Sequence, residues 1–312
     1  MPHPQRVPSS GPPYVVLERG FDSFWKRREE LNRCIAALQF SQRLTLHEIG
    51  TLRPHLRSRT LGELYPAALV RGSFDYRLGL AETHLDEASS FLADAAFVSC
   101  QPAYEHYLEH VVEMLDAIAD SSPGQRPSTR DSIVKKHNWV RSSGVQLDGP
   151  ALEHFDVLRE ARNGQVHRGA VVNDPLADAR RALSQEAQNM WTRVAAAPLP
   201  SMNVGDLLPA GTFDPVAVVY SIGVMGLSLN QGILASGRVQ LPRWADWALL
   251  DYRCCHPAGW GGDGAAKLKK LRGHTVVKFG AALPALVDEP QYLAEALARA
   301  PRKRGLPPTQ VP

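Results

Sequence analysis

The residues whose types and spacing point to chemistry are an arginine, an asparagine and a histidine within six consecutive positions: Arg162, Asn163 and His167. A guanidinium binds a phosphate through two parallel hydrogen bonds, and an imidazole near neutral pH can accept and donate a proton. An asparagine amide can orient either group. Together these groups are sufficient to cleave a phosphodiester without a metal, so the three residues are the candidate catalytic set.

The three residues lie late in a segment that the sequence predicts to be one helix, from 150 to 168. Asp148, Gly149 and Pro150 are typical of a helix start, because proline is tolerated in the first turn. Gly169 is a plausible stop. We therefore expect the motif near the C-terminal end of a helix.

Helical spacing puts part of the motif on a face that should be buried. At about 100° per residue, one broad face of the helix contains Leu152, Phe155, Leu158, Arg162 and Val166. Asn163 and His167 lie along the edge of that face. Burying an unpaired guanidinium is costly, so Arg162 must have a partner or line a cleft. Gly164 costs about 1 kcal/mol relative to alanine in a helix interior, which favours close packing against its backbone.

A second interpretation of the motif needs no catalysis. Arg162 would form an ion pair with a glutamate of a neighbouring helix, Asn163 would be exposed, and His167 would stabilise the end of the helix, where cations are favoured. The two interpretations differ in whether Arg162 is sealed against a carboxylate or shares an accessible cleft with His167.

Three further residues are weaker, supporting candidates. Glu105 forms an acidic stripe with Glu109 and Glu113 at spacings of four, and one of these carboxylates could pair with Arg162; a solvated stripe is the alternative. Arg159 and Arg168 flank the motif and could widen a phosphate-binding surface.

Composition places the chain among ordinary globular proteins. It has 312 residues, of which 44% are hydrophobic and 21% charged, and a net charge of +3, which is not by itself a nucleic-acid signature. The longest apolar stretch, 216–229, is shorter than a bilayer crossing requires, so we expect a buried element and no membrane span. No phosphate-binding loop, Gly-x-Ser-x-Gly or His-Glu-x-x-His motif occurs, which leaves nucleotide hydrolysis, ester hydrolysis and zinc proteolysis without support.

Helical periodicity predicts a mainly α fold. Apolar residues recur at spacings of three and four over 78–95, 104–118 and 176–194, and with the motif helix these give four principal helices joined by short links. Such a pattern predicts an up-and-down helical bundle over 61–197.

The regions on either side of the predicted bundle differ from it in sequence pattern and composition. We expect a helical extension over 14–60, including an amphipathic helix at 21–40, and a less regular C-terminal module over 205–300 that could bind a protein partner. The proline-rich ends, 1–13 and 301–312, are expected to be disordered.

The four cysteines do not form a disulfide framework by spacing, and no signal peptide precedes them, so a reducing cytoplasm is expected. Cys254, Cys255 and His256, together with His274, suggest a zinc site. Adjacent cysteines lack the two-residue gap of strong zinc motifs, so we expect no metal and no cofactor.

Arg-Asn-x-x-x-His late in a helix of an all-α bundle resembles the signature of the HEPN superfamily, over about residues 61 to 197. The resemblance implies a metal-independent endoribonuclease that works as a homodimer, with two copies of the motif facing each other across a cleft that accepts RNA. Arg162 would hold the scissile phosphate, His167 would transfer protons for attack by the ribose 2′-OH, and Asn163 would orient the site. A 2′,3′-cyclic phosphate is the expected product.

One position departs from part of that family. HEPN toxins silenced by a partner nucleotidyltransferase carry a tyrosine two residues after the histidine, where this chain has Gly169. Control by tyrosine modification is therefore not expected. The resemblance is compatible with two functions. One is a ribonuclease of stress response or defence, and the other is a non-catalytic module that binds RNA or a protein.

Overall fold

The computed structural model describes residues 19–51, 56, 58–64, 76–118, 124–208, 212–237, 241–256, 261–279 and 288–299. The ends predicted to be disordered, 1–13 and 301–312, lie outside the described residues. So do the side chains of residues 165–168, although their backbone is helical.

The fold is mainly α-helical, as the periodicity predicts. In chain order the helices are α1 (Arg19–Thr51), α2 (Leu61–Leu64), α3 (Leu78–Ile118), α4 (Ile133–Ser142), α5 (Gly149–Arg168), α6 (Asp174–Arg181), α7 (Gln185–Ala195), α8 (Pro215–Gly237), α9 (Leu241–Cys255), α10 (Gly264–Phe279) and α11 (Gln291–Arg299). In the described part of the chain, β structure is limited to two isolated antiparallel bridges, Thr60 with Arg77 and Val171 with Leu207. The described part of the module at 205–300 is therefore mostly helical.

Two of the predicted helices are one continuous helix. α3 runs for 41 residues through Pro102, which joins the apolar stripes that the sequence shows before and after it. A proline inside a helix removes one hydrogen bond and costs about 3 kcal/mol. Phe97 and Tyr104, on either side of it, are fully buried. Packing on both sides holds the helix across the proline.

The helix predicted over 176–194 is instead two helices, α6 and α7. Asn173 begins α6 as predicted, because its side chain accepts a hydrogen bond from the backbone N–H of Leu176. Ser184 then interrupts the helix. Its backbone is extended and its hydroxyl accepts from the N–H of Ala187, so it acts as an N-cap for α7.

The described residues form two compact units, each assembled from segments distant in sequence. The terminal unit contains the described residues of Met1–Asp22, Leu108–Gln146 and Leu229–Pro312, and the motif unit contains those of Ser23–Tyr107 and Leu147–Ser228. Domains at 61–197 and 205–300 stay predictions.

Aromatic contacts hold the motif helix in the core of the motif unit. The Phe24 ring of α1 stacks on Tyr107 of α3 at 5.8 Å between centroids and meets Tyr104 edge-on at 5.9 Å. Tyr104 in turn packs on Phe155 of α5 at 4.8 Å. Such pairs add about 0.5 to 1.5 kcal/mol beyond their buried area. Side chains of α1 and α3 thus fix the position of α5.

Two glycines allow α1 to lie close to α8. A Cβ at position 226 would overlap the ring of Phe24, and a Cβ at position 223 would lie 2.7 Å from Nε of Arg28. Both glycines are buried within a regular helix. Their lack of a side chain is therefore required by packing rather than by backbone conformation.

The apolar stretch at 216–229 belongs to a helix longer than the sequence suggests. Within α8, Pro215–Ile233 is long and apolar enough to cross a bilayer, and 72% of its most apolar window is buried inside the protein. A helix that is hydrophobic all round is also typical of a protein core.

Replacing Gly226 with alanine should destabilise the protein. The new methyl group forces Phe24 out of its contacts with Tyr104 and Tyr107, and overpacking of this kind costs about 1 to 3 kcal/mol. The free energy of unfolding from urea denaturation measures the effect. Gly50→Ala is the matched control, because a Cβ there meets nothing within 4 Å and alanine favours the helix by up to about 1 kcal/mol. Equal stability of the two variants would contradict the packing argument.

Candidate functional site

The helix that carries the motif, α5, begins where the sequence predicts. The Asp148 carboxylate accepts a hydrogen bond from the backbone N–H of Ala151 at 2.8 Å, and Pro150 lies in the first turn. The backbone N–H of Asp148 also donates to the hydroxyl of Ser228 at 2.6 Å. Both the cap and this long-range bond fix the start of the helix.

The predicted stop at Gly169 is confirmed, and a second residue shares its conformation. Gly169 has φ 61° and Ala170 has φ 62°, both in the left-handed region. The N–H groups of both residues donate to the carbonyl oxygen of Gly164. The helix therefore ends directly after the motif, with one non-glycine residue held in a conformation that such residues rarely adopt.

The chain leaving α5 is bonded to the segment that precedes α8. The N–H of Val172 donates to the carbonyl of Asp206, the N–H of Gly205 to the carbonyl of Val172, and the N–H of Leu208 to the carbonyl of Ala170, each at 2.9 Å. We call this contact the exit bridge. It fixes the backbone on the C-terminal side of the motif.

The structure shows only an ordinary contact at Gly164, where the sequence predicted close packing. The carbonyl oxygen of Val171 lies 3.4 Å from the position that a Cβ of residue 164 would occupy. This is an ordinary van der Waals distance. Close approach of the backbone is therefore not what requires glycine at this position.

The buried face of α5 is rotated relative to the predicted one. Its buried residues are Ala151, His154, Phe155, Val157, Leu158, Ala161 and Gly164. Leu152 and Arg162, both predicted on this face, are only half-buried, as is Asn163. Phe155 and Leu158 are buried as predicted, and the face is rotated because His154 and the alanines also lie in the core. Arg162 thus lies at the edge of the buried face and not within it.

His154 is buried because both of its ring nitrogens have partners. Nε2 donates to the carbonyl of Ala187 at 2.7 Å, and Nδ1 lies 3.3 Å from the hydroxyl of Ser221. Burial lowers the pKa of the imidazole, so it is neutral and accepts from Ser221 through Nδ1. The ring also meets Trp191 edge-on at 5.8 Å. His154 therefore joins α5 to α7 and α8.

Arg159 and Arg162, nearly one turn apart on α5, differ in how their charges are balanced. Nη1 of Arg159 lies 2.6 Å from the Glu160 carboxylate, and its Nε lies 3.6 Å from the Asp156 carboxylate. Arg162 forms no ion pair within the described part of the chain. The Nε atoms of both arginines are buried without a hydrogen-bond partner, so the two residues differ in their carboxylate partners and not in Nε. A buried donor left unbonded costs about 1 to 3 kcal/mol. Arg162 is thus a guanidinium with an unmet hydrogen-bonding requirement.

The acidic stripe of α3 does not neutralise Arg162. Glu105, the predicted supporting carboxylate, accepts a hydrogen bond from Nε2 of Gln101 at 3.1 Å. Glu109 lies 2.6 Å from Nζ of Lys136, whose side chain is only 7% exposed. Glu113 lies 4.0 Å from a ring nitrogen of His110. A supporting role for Glu105 stays a prediction.

The backbone of α5 fixes the relative directions of the three motif residues. Asn163 and His167 are four residues apart and so lie one above the other on the helix, whereas Arg162 and His167 are separated by about 140° around the axis. The side chains of His167 and Arg168 lie outside the described residues. A shared cleft for Arg162 and His167 therefore stays a prediction.

The described part of the motif favours binding of an anion. The half-buried guanidinium of Arg162 has no carboxylate partner among the described residues, and the amide of Asn163 is adjacent to it. Charge-assisted hydrogen bonds from a guanidinium to a phosphate are about twice as strong as neutral ones. A phosphate at this position would balance the charge of Arg162, which no described carboxylate does.

A cleft of about 390 Å³ lies elsewhere in the motif unit. Its lining among the described residues includes Gln39 and Arg43 of α1, Trp191 of α7, and Asp214 just before α8, and nothing from α5. The predicted catalytic residues would therefore not act in this cleft.

The terminal unit contains a cluster of potential metal ligands, of which the sequence indicated only some. Asp251, Cys255 and His274 place one ligand atom each within 4.8 Å of one another. The sequence draws attention to Cys255 and His274 but not to Asp251. The available signal was its spacing, since Asp251 and Cys255 are four residues apart on α9 and share a face.

No protein-family model, no curated protein and no solved structure matches this chain. The resemblance to the HEPN superfamily therefore rests on the motif and on the helical fold around it.

The burial of His154 predicts a pH dependence of stability. Its pKa is lowered in the folded protein, whereas an unfolded histidine titrates near 6.5, so below about pH 6.5 the unfolded state binds the extra proton and the protein loses stability. His154→Gln should remove this part of the slope between pH 7.5 and pH 5, by up to about 1.4 kcal/mol per pH unit. Urea denaturation at several pH values measures it. His84→Gln, at an exposed histidine, should keep the wild-type slope; an unchanged slope in His154→Gln would refute the assignment.

Proposed function

We propose that this protein is a metal-independent endoribonuclease of the HEPN type. Arg162 binds the scissile phosphate and stabilises its developing negative charge, His167 transfers protons, and Asn163 orients the site. The observation that carries the proposal is the guanidinium of Arg162, which has no ion pair among the described residues in a helix where carboxylates neutralise Arg159.

An RNA phosphate suits this guanidinium for a physical reason. A carboxylate already occupies Arg159, so an incoming phosphate would have to displace it. Arg162 needs no such displacement, because it has no ion pair among the described residues. The full strength of a charge-assisted hydrogen bond from its guanidinium is therefore available to a phosphate.

The reaction balances without a metal or an external co-reactant. The ribose 2′-oxygen attacks the adjacent phosphorus as its proton passes to a base, and the bond from phosphorus to the 5′-oxygen breaks. The leaving oxygen takes up a proton. The products are a 2′,3′-cyclic phosphate and a 5′-hydroxyl, and His167 is the residue of the motif able to transfer protons at neutral pH.

A homodimer is part of the proposal, and the surface of α3 supports it. Leu80, Phe91 and Val98 are 47%, 73% and 55% exposed. They are separated by eleven and seven residues, which places all three within about 20° of one another around the helix. Apolar residues that recur along one face favour contact with another protein surface. A cytoplasmic role in stress response or defence is proposed from the family resemblance alone.

Arg162→Ala and His167→Ala should each abolish RNA cleavage. Purified protein is incubated with single-stranded RNA in EDTA, and fragments are separated on a denaturing gel, with the cyclic phosphate identified by mass spectrometry. Loss of either group should lower the rate by about 100-fold or more. The matched control is Arg181→Ala, which removes an exposed arginine paired with Asp178 and should leave the rate unchanged. Circular dichroism confirms folding of each variant.

Three outcomes would count against catalysis by this motif. One is cleavage that needs a divalent metal, and another is cleavage that persists in both variants. The third is wild-type protein that leaves every RNA intact yet shifts it on a native gel, a shift that Arg162→Ala removes. That result would assign the chain as a non-catalytic RNA-binding module.

Phe91→Glu should shift the protein from dimer to monomer. A carboxylate in the centre of the exposed stripe of α3 would be buried without a partner on association, which is strongly unfavourable. Sedimentation velocity measures the molecular mass over a range of concentrations. Val277→Glu is the control, since Val277 is 82% exposed but lies on α10. A wild-type protein that is monomeric at all concentrations would contradict the dimer.

A further inference from the structure

A histidine, a cysteine and an aspartate converge in the terminal unit. Asp251 and Cys255 are one turn apart on α9, and His274 faces them from α10. Nε2 of His274 lies 2.7 Å from Oδ2 of Asp251, and Sγ of Cys255 lies 3.8 Å from both carboxylate oxygens. Cys255 is not in a disulfide. Three different metal-ligating groups thus meet between two packed helices.

The cluster is enclosed rather than a chance surface encounter. The side chain of Asp251 is 12% exposed and that of His274 is 6% exposed. The ring of Tyr252 packs edge-on against His274 at 5.3 Å between centroids, and His256 does so at 5.7 Å. Contacts with these neighbouring rings restrict the orientation of the His274 imidazole.

From this convergence we propose that Asp251, Cys255 and His274 bind a transition-metal ion of the zinc type. Ligands bound to tetrahedral Zn²⁺ at about 2.0 to 2.3 Å are separated from one another by about 3.3 to 3.6 Å. The separation of sulfur and carboxylate oxygen, 3.8 Å, is close to this range. Nε2 of His274 and Oδ2 of Asp251 lie at hydrogen-bond distance, 2.7 Å. A small movement of these two side chains apart would make room for the ion.

The chemistry of the donor set selects the class of metal. Mg²⁺ and Ca²⁺ prefer oxygen ligands, whereas a mixture of sulfur, nitrogen and oxygen suits Zn²⁺ and Co²⁺. A thiolate and a carboxylate carry two negative charges, which balance the charge of the ion. With three protein ligands the fourth position stays open to water, as in zinc sites that activate a bound molecule.

The arrangement does not suit a cysteine nucleophile. In a Cys–His–Asp triad the imidazole lies between the thiol and the carboxylate, so that the base can take the thiol proton. Here the carboxylate contacts both the sulfur and the imidazole. Asp251 therefore draws the other two groups towards one point, which is the geometry of ligands around an ion.

Titration of the full-length protein, stripped of metal by a chelator, with Co²⁺ tests the proposal. We expect one equivalent to bind, with the visible absorption of tetrahedral Co²⁺ and a near-ultraviolet band from charge transfer out of a thiolate. Zn²⁺ should displace Co²⁺ and bleach both signals. Absence of the thiolate band in the wild-type protein would overturn the proposal, whatever the variants do.

Variants assign the ligands. Cys255→Ser should lose the thiolate band, and both Cys255→Ser and His274→Ala should bind Co²⁺ more than about 100-fold more weakly, because a lost ligand costs more than a lost outer-shell contact. Cys34→Ser, at an exposed free cysteine, should bind as the wild type does. Wild-type affinity in Cys255→Ser or His274→Ala would leave only a hydrogen-bonded Asp–His pair.

Discussion

Phe24 can lie against α8 only because residue 226 has no side chain, and the arrangement of the motif unit follows from that contact. From Phe24 the aromatic packing continues through Tyr104 to Phe155, which lies in the middle of the motif helix. One turn along α1, Arg28 makes a similar contact with Gly223, where burial lowers the pKa of its guanidinium. Two glycines three residues apart on α8 thus set its distance from α1. The position of α5 depends on that distance, because Phe24 of α1 contacts α5 through Tyr104.

The ends of the motif helix were predictable because they are determined locally. Asp148, Pro150 and Gly169 act within a few residues of themselves, through a side-chain cap, a fixed φ and a left-handed turn. The rotation of the helix was not predictable in this way. It depends on whether His154 finds acceptors and donors in the core, and those come from Ala187 and Ser221, which are 33 and 67 residues away.

The carboxylates that pair with Arg159 lie within three residues of it, so the sequence already shows them. That Arg162 forms no ion pair among the described residues is visible only in the structure. The metal-ligating cluster depends on a partner that is distant in sequence. The spacing of Asp251 and Cys255 is visible in the sequence, but the third group, His274, is brought to them by the packing of α9 against α10. Continuity of α3 through Pro102 likewise depends on the buried residues around it.

The exit bridge gives the motif helix a mechanical link to a distant stretch of chain. Three backbone hydrogen bonds join residues 170–172 to residues 205–208, and Leu207 within that stretch is 68% exposed. A ligand that displaces the segment around Leu207 must either move the end of α5 with it or break these hydrogen bonds. The C-terminal end of α5, which follows Arg162 and Asn163 in the chain, is therefore tied by hydrogen bonds to a segment with an exposed apolar side chain.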